Sequence, residues 1–149
     1  MIKNNYDLRE LEYPDLDKGI LKLISQLSSI NTTYEKAKWE FDGYCEALKK
    51  NINQKHFVIE KNDLIIASGT LIIENKIIHQ FKNVGHIEDV VVFKDYQGQG
   101  YGTIIMNKLI EVAKNNHCYK VILNCKPECE KYYKKFGLEH KYIQMAKYF

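Results

Sequence analysis

The chain has little of what marks a specialised class of protein. Proline occurs only twice in 149 residues while tyrosine occurs 11 times, so neither a disordered segment nor a collagen-like repeat is expected. Cys45, Cys118, Cys125 and Cys129 lack the regular spacing of a disulfide framework. His117 with Cys118, Cys125 and Cys129 shows no C-x₂-C or H-x₃-H spacing, and no metal is expected. No run approaches the ~20 apolar residues that cross a bilayer. The polar start from Met1 to Glu10 has no apolar stretch of the secretory kind. A cytoplasmic protein without membrane attachment is the expectation. Dense basic blocks are missing too. The formal charge of +3 comes from scattered lysines, which suits a small anionic ligand better than a nucleic acid.

What is present fits one domain over residues 1–149, long enough to bury a sizeable core. Leu8 to Tyr13 reads as a strand. From Pro14 a helix follows, with Leu16, Ile20, Leu23 and Leu27 at helical spacing. After a polar break at Ser28 to Thr33, Ala37, Phe41, Tyr44 and Leu48 mark a second helix ending near Asn51 to Asn53. The pattern then changes to strands: His56 to Lys61, Leu64 to Glu74 across an Asn62-Asp63 turn, Ile77 to Phe81, and His86 to Phe93. A helix with Ile105, Leu109 and Val112 on one face comes next. It is followed by a strand at Val121 to Cys125, a short helix at Glu128 to Phe136 closed by Gly137, and a last strand toward Phe149. The sum is an α/β (α+β mixed) chain, with a mixed, mostly antiparallel central sheet and helices on both faces.

Glu88-Asp89-Val90-Val91-Val92 leads into Gln97-Gly98-Gln99-Gly100-Tyr101-Gly102 at a strand-to-helix turn. Alternating glycines let a backbone approach a ligand closely, and amides at a helix N-terminus attract anions. A nucleoside-triphosphate loop requires Lys then Ser or Thr after its last glycine, and here Thr103 follows Gly102 directly. A dinucleotide fingerprint reads G-x-G-x-x-G early in a chain, whereas this is G-x-G-x-G late in one. Gln97, Gly100 and Gly102 instead resemble the pyrophosphate loop of the GNAT superfamily. The resemblance implies a GNAT fold and acetyl-CoA as co-substrate, held by Val90, Val91, Val92 and the amides of Gln97, Gly98, Gln99, Gly100, Tyr101 and Gly102.

A narrower resemblance runs along most of the chain. Leu71-Ile72-Ile73-Glu74, Lys76-Ile77-Ile78-His79, Gly85-His86-Ile87-Glu88-Asp89-Val90, Cys118-Tyr119-Lys120 and Tyr133-Lys134-Lys135-Phe136-Gly137 are similar to the glucosamine-6-phosphate N-acetyltransferase family. The resemblance implies acetylation of the sugar amine in the route to UDP-GlcNAc, in a homodimer whose C-terminal strand completes the partner's site. It places Ser28, Lys76, Ile77, Ile78, His79, Glu88, Asp89, Tyr119 and Lys120 at the sugar phosphate, and Tyr133 at the thioester sulfur. Three positions depart from the family pattern: Asn124 where an acid is common, Cys129 in place of a CoA-contacting asparagine, and Tyr148, beside Lys147, in place of an arginine.

The implied chemistry is direct attack by a neutral amine, with Glu88 or Asp89 orienting it and relaying its proton, and Tyr133 protonating the thiolate at a pKa near 10. A cysteine nucleophile would need an activating base, which the His117-Cys118 pairing does not establish. Because the glycine loop identifies the donor and not the acceptor, a protein, polyamine or antibiotic amine stays open. So does a non-catalytic CoA-binding module.

Overall fold

The computed structural model describes residues 5–149; Met1 to Asn4, where the polar start begins, lie outside the described residues. Five strands form one sheet in the order β1 (Asp7–Glu10), β2 (Gln54–Lys61), β3 (Leu64–Glu74), β4 (Asn83–Val92) and β5 (Cys118–Ile122). The first four are mutually antiparallel, and β5 runs parallel to β4. Asn62 and Asp63 both take positive φ, 51° and 62°, as a two-residue turn between right-twisted strands demands.

Alternation along the strands divides the core between two faces. Phe57, Ile59, Leu71, Ile73 and Ile87 meet the buried stripe of α3 (Tyr101–Asn115), which carries Ile105, Met106, Leu109 and Ala113. Full burial of each large side chain stabilises by roughly 1.5–3 kcal/mol. Val58, Ile65 and Val91 face the other way, onto α1 (Ile20–Ile24) and α2 (Tyr34–Lys50), through Ile20, Leu23, Phe41 and Cys45. Thr33 caps α2 by accepting from the Lys36 N–H at 3.3 Å.

Several expectations need correction. The helix expected from Pro14 to Leu27 is divided into a 3-10 turn at Tyr13–Leu16 and α1. Gly19 stands between them at φ 85°, and the fully buried Asp15 is drawn to Arg9 by two hydrogen bonds of 2.6 and 2.8 Å. A carboxylate without water needs such a partner. Ile77 to Phe81 is a loop, because His79, Gln80 and Phe81 adopt left-handed φ values incompatible with a strand. The strand expected at Val121 to Cys125 begins instead at Cys118 and ends at Ile122. The tail from Leu138 to Phe149 joins no ladder: Tyr142, Ile143, Met145, Tyr148 and Phe149 find no apolar surface within the chain. The short helix near Glu128 is a 3-10 turn followed by α4 (Glu130–Lys134), with Gly137 at φ 79° behind it. Among the described residues no helix is long and apolar enough to cross a membrane.

One contact controls how closely α3 sits on the sheet. A Cβ at Gly69 would lie 2.6 Å from Ile105 Cγ2 and 3.0 Å from Leu109 Cδ1. Gly69→Ala is therefore expected to destabilise the fold by about 1–3 kcal/mol, read as a lower urea midpoint at unchanged slope. An unchanged midpoint would mean that α3 moves away at no cost.

Candidate active site

The strand β4 is bulged where its chemistry lies. Thr70 pairs with Glu88 and Ser68 with Val91, so Gly69 alone faces both Asp89 and Val90. Asp89 takes φ 51°, and the alternation of β4 slips there. Of the two adjacent acids, Asp89 is the one at the bulge, and Glu88 keeps its ladder pairing with Thr70. β4 also parts from β5 just before the bulge, their ladder ending at His86 with Ile122. A cavity of about 200 Å³ fills the gap. Ile87, Glu88, Asp89 and Val90 form one wall; Leu123, Asn124 and Tyr133 form the other, with Leu27 from the segment after α1.

Tyr133 is half-buried, and desolvation first, then its neighbour Tyr132, pushes its pKa up to about 12. Its O–H is consequently an intact donor at neutral pH, and a weaker acid than an ordinary phenol. Asn124 lines the same cavity, where an amide offers hydrogen bonds but accepts no proton. Cys129 is the half-buried residue before α4.

Beside the cavity the chain makes a 3-10 turn, Lys94–Tyr96, and then the glycine loop. Gly98 and Gly100 have φ of 73° and 91°. The first backbone bond of α3 runs from the Ile104 N–H to the Gly100 carbonyl at 3.2 Å, which leaves the N–H groups of Tyr101, Gly102 and Thr103 without helical acceptors. Gly100 supplies no side-chain cap. At Gly102 a Cβ would approach the Tyr132 hydroxyl to 2.5 Å. The ring of Tyr132 thus packs over the first turn of α3, a role without a sequence signal.

Several expected contacts reduce to backbone. The Tyr101 side chain is 1% exposed, with Lys61 donating to its hydroxyl at 2.7 Å. The Val91 side chain belongs to the core beneath α1 and α2. The carbonyl of Val92 accepts from the side-chain amides of Gln97 at 3.1 Å and Gln26 at 3.0 Å. Gln26 also accepts from the Lys94 N–H at 2.9 Å, tying the segment that carries Leu27 to the end of β4. Sequence periodicity gives no hint of Gln26 or Leu27 at the site. Gln99 donates to the Asp95 carbonyl at 3.1 Å, inside the loop.

The residues expected at the sugar phosphate fall into two groups. Glu88 and Asp89 line the cavity, and Ser28, exposed, follows Leu27. The others gather elsewhere. Lys76 is paired with Glu74, which also binds His86 at 2.8 Å. His79 lies on Tyr119 with ring centroids 4.3 Å apart, and the Lys120 ammonium is 5.4 Å from the Tyr119 centroid. Ile77 and Ile78 are exposed beside them. Lys120 pairs with Val84, four residues before Glu88, which is roughly 13 Å along the strand. Within one chain this cluster does not border the cavity. Among the described residues no three His, Cys, Asp or Glu side chains are grouped to hold a metal.

Comparison with known proteins gives the family. Residues 20–138 match the acetyltransferase (GNAT) family. The chain is 37% identical to glucosamine 6-phosphate N-acetyltransferase 1 of Oryza sativa subsp. japonica, across 97% of this chain and 87% of that one. It is 32% identical to glucosamine 6-phosphate N-acetyltransferase of Candida albicans, across 98% and 97%. The crystal structure of glucosamine-6-phosphate N-acetyltransferase from Arabidopsis thaliana superposes with a TM-score of 0.90 at 35% identity, covering 97% and 98% of the two chains. A glycine loop of free amides beside a splayed β4–β5 edge, matched over most of the chain, makes this protein a member of the acetyltransferase (GNAT) family.

Proposed function

We propose that this protein acts as a single domain that transfers the acetyl group of acetyl-CoA to the 2-amine of D-glucosamine 6-phosphate, giving N-acetylglucosamine 6-phosphate for UDP-GlcNAc synthesis. The observation that carries the reading is the cavity in which Glu88, Asp89 and Tyr133 meet, next to the free amides that open α3. The relatives that match nearly the whole chain bear this activity in their names. Four free cysteines suit a reducing, cytoplasmic setting.

The chemistry follows from the side chains at hand. The loop amides and the N-terminus of α3 hold the CoA pyrophosphate. A neutral amine attacks the thioester carbonyl, forming the C–N bond, and a backbone amide near Val91 stabilises the tetrahedral oxyanion. The C–S bond then breaks, and the surplus amine proton passes to Glu88 or Asp89, directly or through water. A strong base is unnecessary for this acceptor. An amine with the pKa of an α-amino group, about 7.7–8.0, costs only ~1 kcal/mol to deprotonate at pH 7, against ~4.6 for a lysine. Asn124 is tolerable for the same reason. Tyr133 has a different part from the one its ordinary pKa implies. Near 12 it lies roughly 3.5 units above an unperturbed thiol, so it stabilises the departing thiolate as a hydrogen-bond donor and keeps its proton.

A second copy of the chain accounts for the distant phosphate cluster. Ile122 at the edge of β5, the loop residues Ile77, Ile78 and Phe81, and the tail from Tyr142 to Phe149 each expose apolar side chains. Pairing of two such edges would carry His79, Tyr119 and Lys120 to the partner's cavity, with Lys147 available from the tail.

Release of CoA from acetyl-CoA, measured with glucosamine 6-phosphate, glucosamine and a lysine peptide in parallel, is expected to be selective for the phosphosugar. Activity on another amine alone rejects the acceptor, and inactivity on all three rejects the enzyme. Gly102→Ala, by forcing Tyr132 off the loop, is expected to raise KM for acetyl-CoA roughly tenfold with a smaller change in kcat; an unchanged KM would remove the loop from the donor site. Sedimentation velocity is expected to show a dimer for the whole chain and a monomer for a chain ending at Gly137. Identical species would sink the role of the tail.

A further inference from the structure

The cavity has one wall that burial does not hold. Leu27 lines it but is 49% exposed, and from Ser28 to Thr33 the chain is exposed and forms neither helix nor strand. An apolar side chain is ordinarily fixed by the atoms packed around it. Half-exposed, Leu27 lacks that enclosure, and its place at the cavity with Glu88 and Asp89 needs another cause.

Gln26, the preceding residue, supplies one with both ends of its amide. Its Oε1 accepts from the Lys94 N–H at 2.9 Å, and its Nε2 donates to the Val92 carbonyl at 3.0 Å. A donor on one side and an acceptor on the other admit a single orientation of the amide, since the reverse would set donor against donor and acceptor against acceptor. The backbone it grips is firm: Val92 pairs with Ala67 on β3, and the Phe93 N–H donates to the Ile66 carbonyl at 2.7 Å. Other side chains of the segment turn back on their own helices. Ser25 donates to the Lys22 carbonyl of α1, and Thr33 accepts from the Lys36 N–H of α2. The far end is fastened by the Tyr34 hydroxyl, which donates to Asp17 at 2.7 Å.

The Val92 carbonyl joins this wall to the glycine loop, because its second lone pair takes Gln97 Nε2 at 3.1 Å. The loop has further bonds of its own, from the Tyr96 N–H to the Phe93 carbonyl at 2.8 Å and from Gln99 to the Asp95 carbonyl at 3.1 Å. Among the described residues the segment that carries Leu27 has only Gln26 for side-chain hydrogen bonds to the end of β4. Loss of Gln26 therefore falls on the cavity wall and spares the loop.

We propose that Gln26 is a positioning residue for the acceptor, an amide latch that holds Leu27, and with it the strap from Ser28 to Thr33, at the cavity. An apolar side chain beside two carboxylates suits a pyranose, whose C–H groups pack on Leu27 while its amine meets Glu88 or Asp89. Gln26 itself touches no reacting atom and acts through Leu27. The inference rests on the acetyl transfer proposed above, but the latch can be read without substrate.

Amide hydrogen exchange of the intact protein tests the latch. Gln26→Met keeps the length of the side chain and loses both bonds, so the amides of Lys94, Leu27 and Ser28 are expected to exchange roughly tenfold faster in it than in the wild type. Gln26→Glu still offers Lys94 an acceptor, and protection of Lys94 is expected to survive there. Equal exchange of Lys94 in wild type and Gln26→Met overturns the latch. Kinetics then test the placement of the acceptor. Gln26→Met is expected to raise KM for glucosamine 6-phosphate roughly tenfold, with KM for acetyl-CoA within about twofold; no rise, or an equal rise for acetyl-CoA, overturns the role. Leu27→Ala is expected to reproduce the effect, and the two substitutions together to do little more than either. Full additivity would show that Gln26 does not act through Leu27 and overturns the proposal. A wild-type protein idle on this sugar rejects the acceptor and leaves the exchange measurement to decide the latch.

Discussion

At Gly69, β3 offers one residue to two of β4, and the rest of the site follows from that mismatch. The extra residue twists Asp89 into a left-handed conformation and slips the alternation of β4. β4 has already parted from β5 after His86, and the bulge lies in the stretch that borders the cavity, which Tyr133 and Asn124 line from the other side. Glycine is required at the position because Ile105 and Leu109 of α3 already fill the space a Cβ would take. The helix that opens with the glycine loop is thus pressed against the sheet directly behind the bulge. The proposed donor loop and the carboxylates at the cavity are held by the same contact.

The two faces of the sheet have different tasks. Beneath α3 the core is apolar, aliphatic residues joined by Phe57 and Tyr101, with Ile105, Met106 and Leu109 fully buried. Beneath α1 and α2 it admits Asp15, His56, Ser68 and Thr70, the first three with side-chain hydrogen-bond partners. Polar groups are kept in a core at the cost of desolvation unless their hydrogen bonds are complete. Gln26 complements them by joining the segment after α1 to the end of β4 through both its amide oxygen and its amide nitrogen.

The groups that line the cavity suit the proposed transfer, whose chemical demand is modest. An amino sugar loses its proton readily, so in that reading the two carboxylates at the bulge suffice where Asn124 offers no base. Burial raises the Tyr133 pKa and keeps its hydroxyl a hydrogen-bond donor. The proposed mechanism relies on electrostatic positioning, from the loop amides to Tyr133, and uses no covalent intermediate.

Much of this was legible in the residues, and the limits have physical causes. Periodicity located α2, α3, β3 and most of β2 and β4, because each buries one face over many residues and the repeat is set by backbone geometry. The loop glycines and the adjacent acids, Glu88 and Asp89, were visible for a similar reason: close backbone approach and a broken alternation leave marks on a single stretch of chain. Elsewhere local pattern was overruled. Gly19 and the Arg9–Asp15 pair divided a helix that Leu16, Ile20, Leu23 and Leu27 appeared to continue, and left-handed turns at His79 to Phe81 replaced a strand. The tail from Leu138 has strand-like composition but no ladder in its own chain. Tertiary structure alone decided that Leu27 lines the cavity and Gln26 bonds the end of β4, that Tyr132 packs on the first turn of α3, and that burial raises the Tyr133 pKa. Such facts depend on which distant segments are packed together and how much water they exclude, and neither quantity is written in the spacing of residues along the chain.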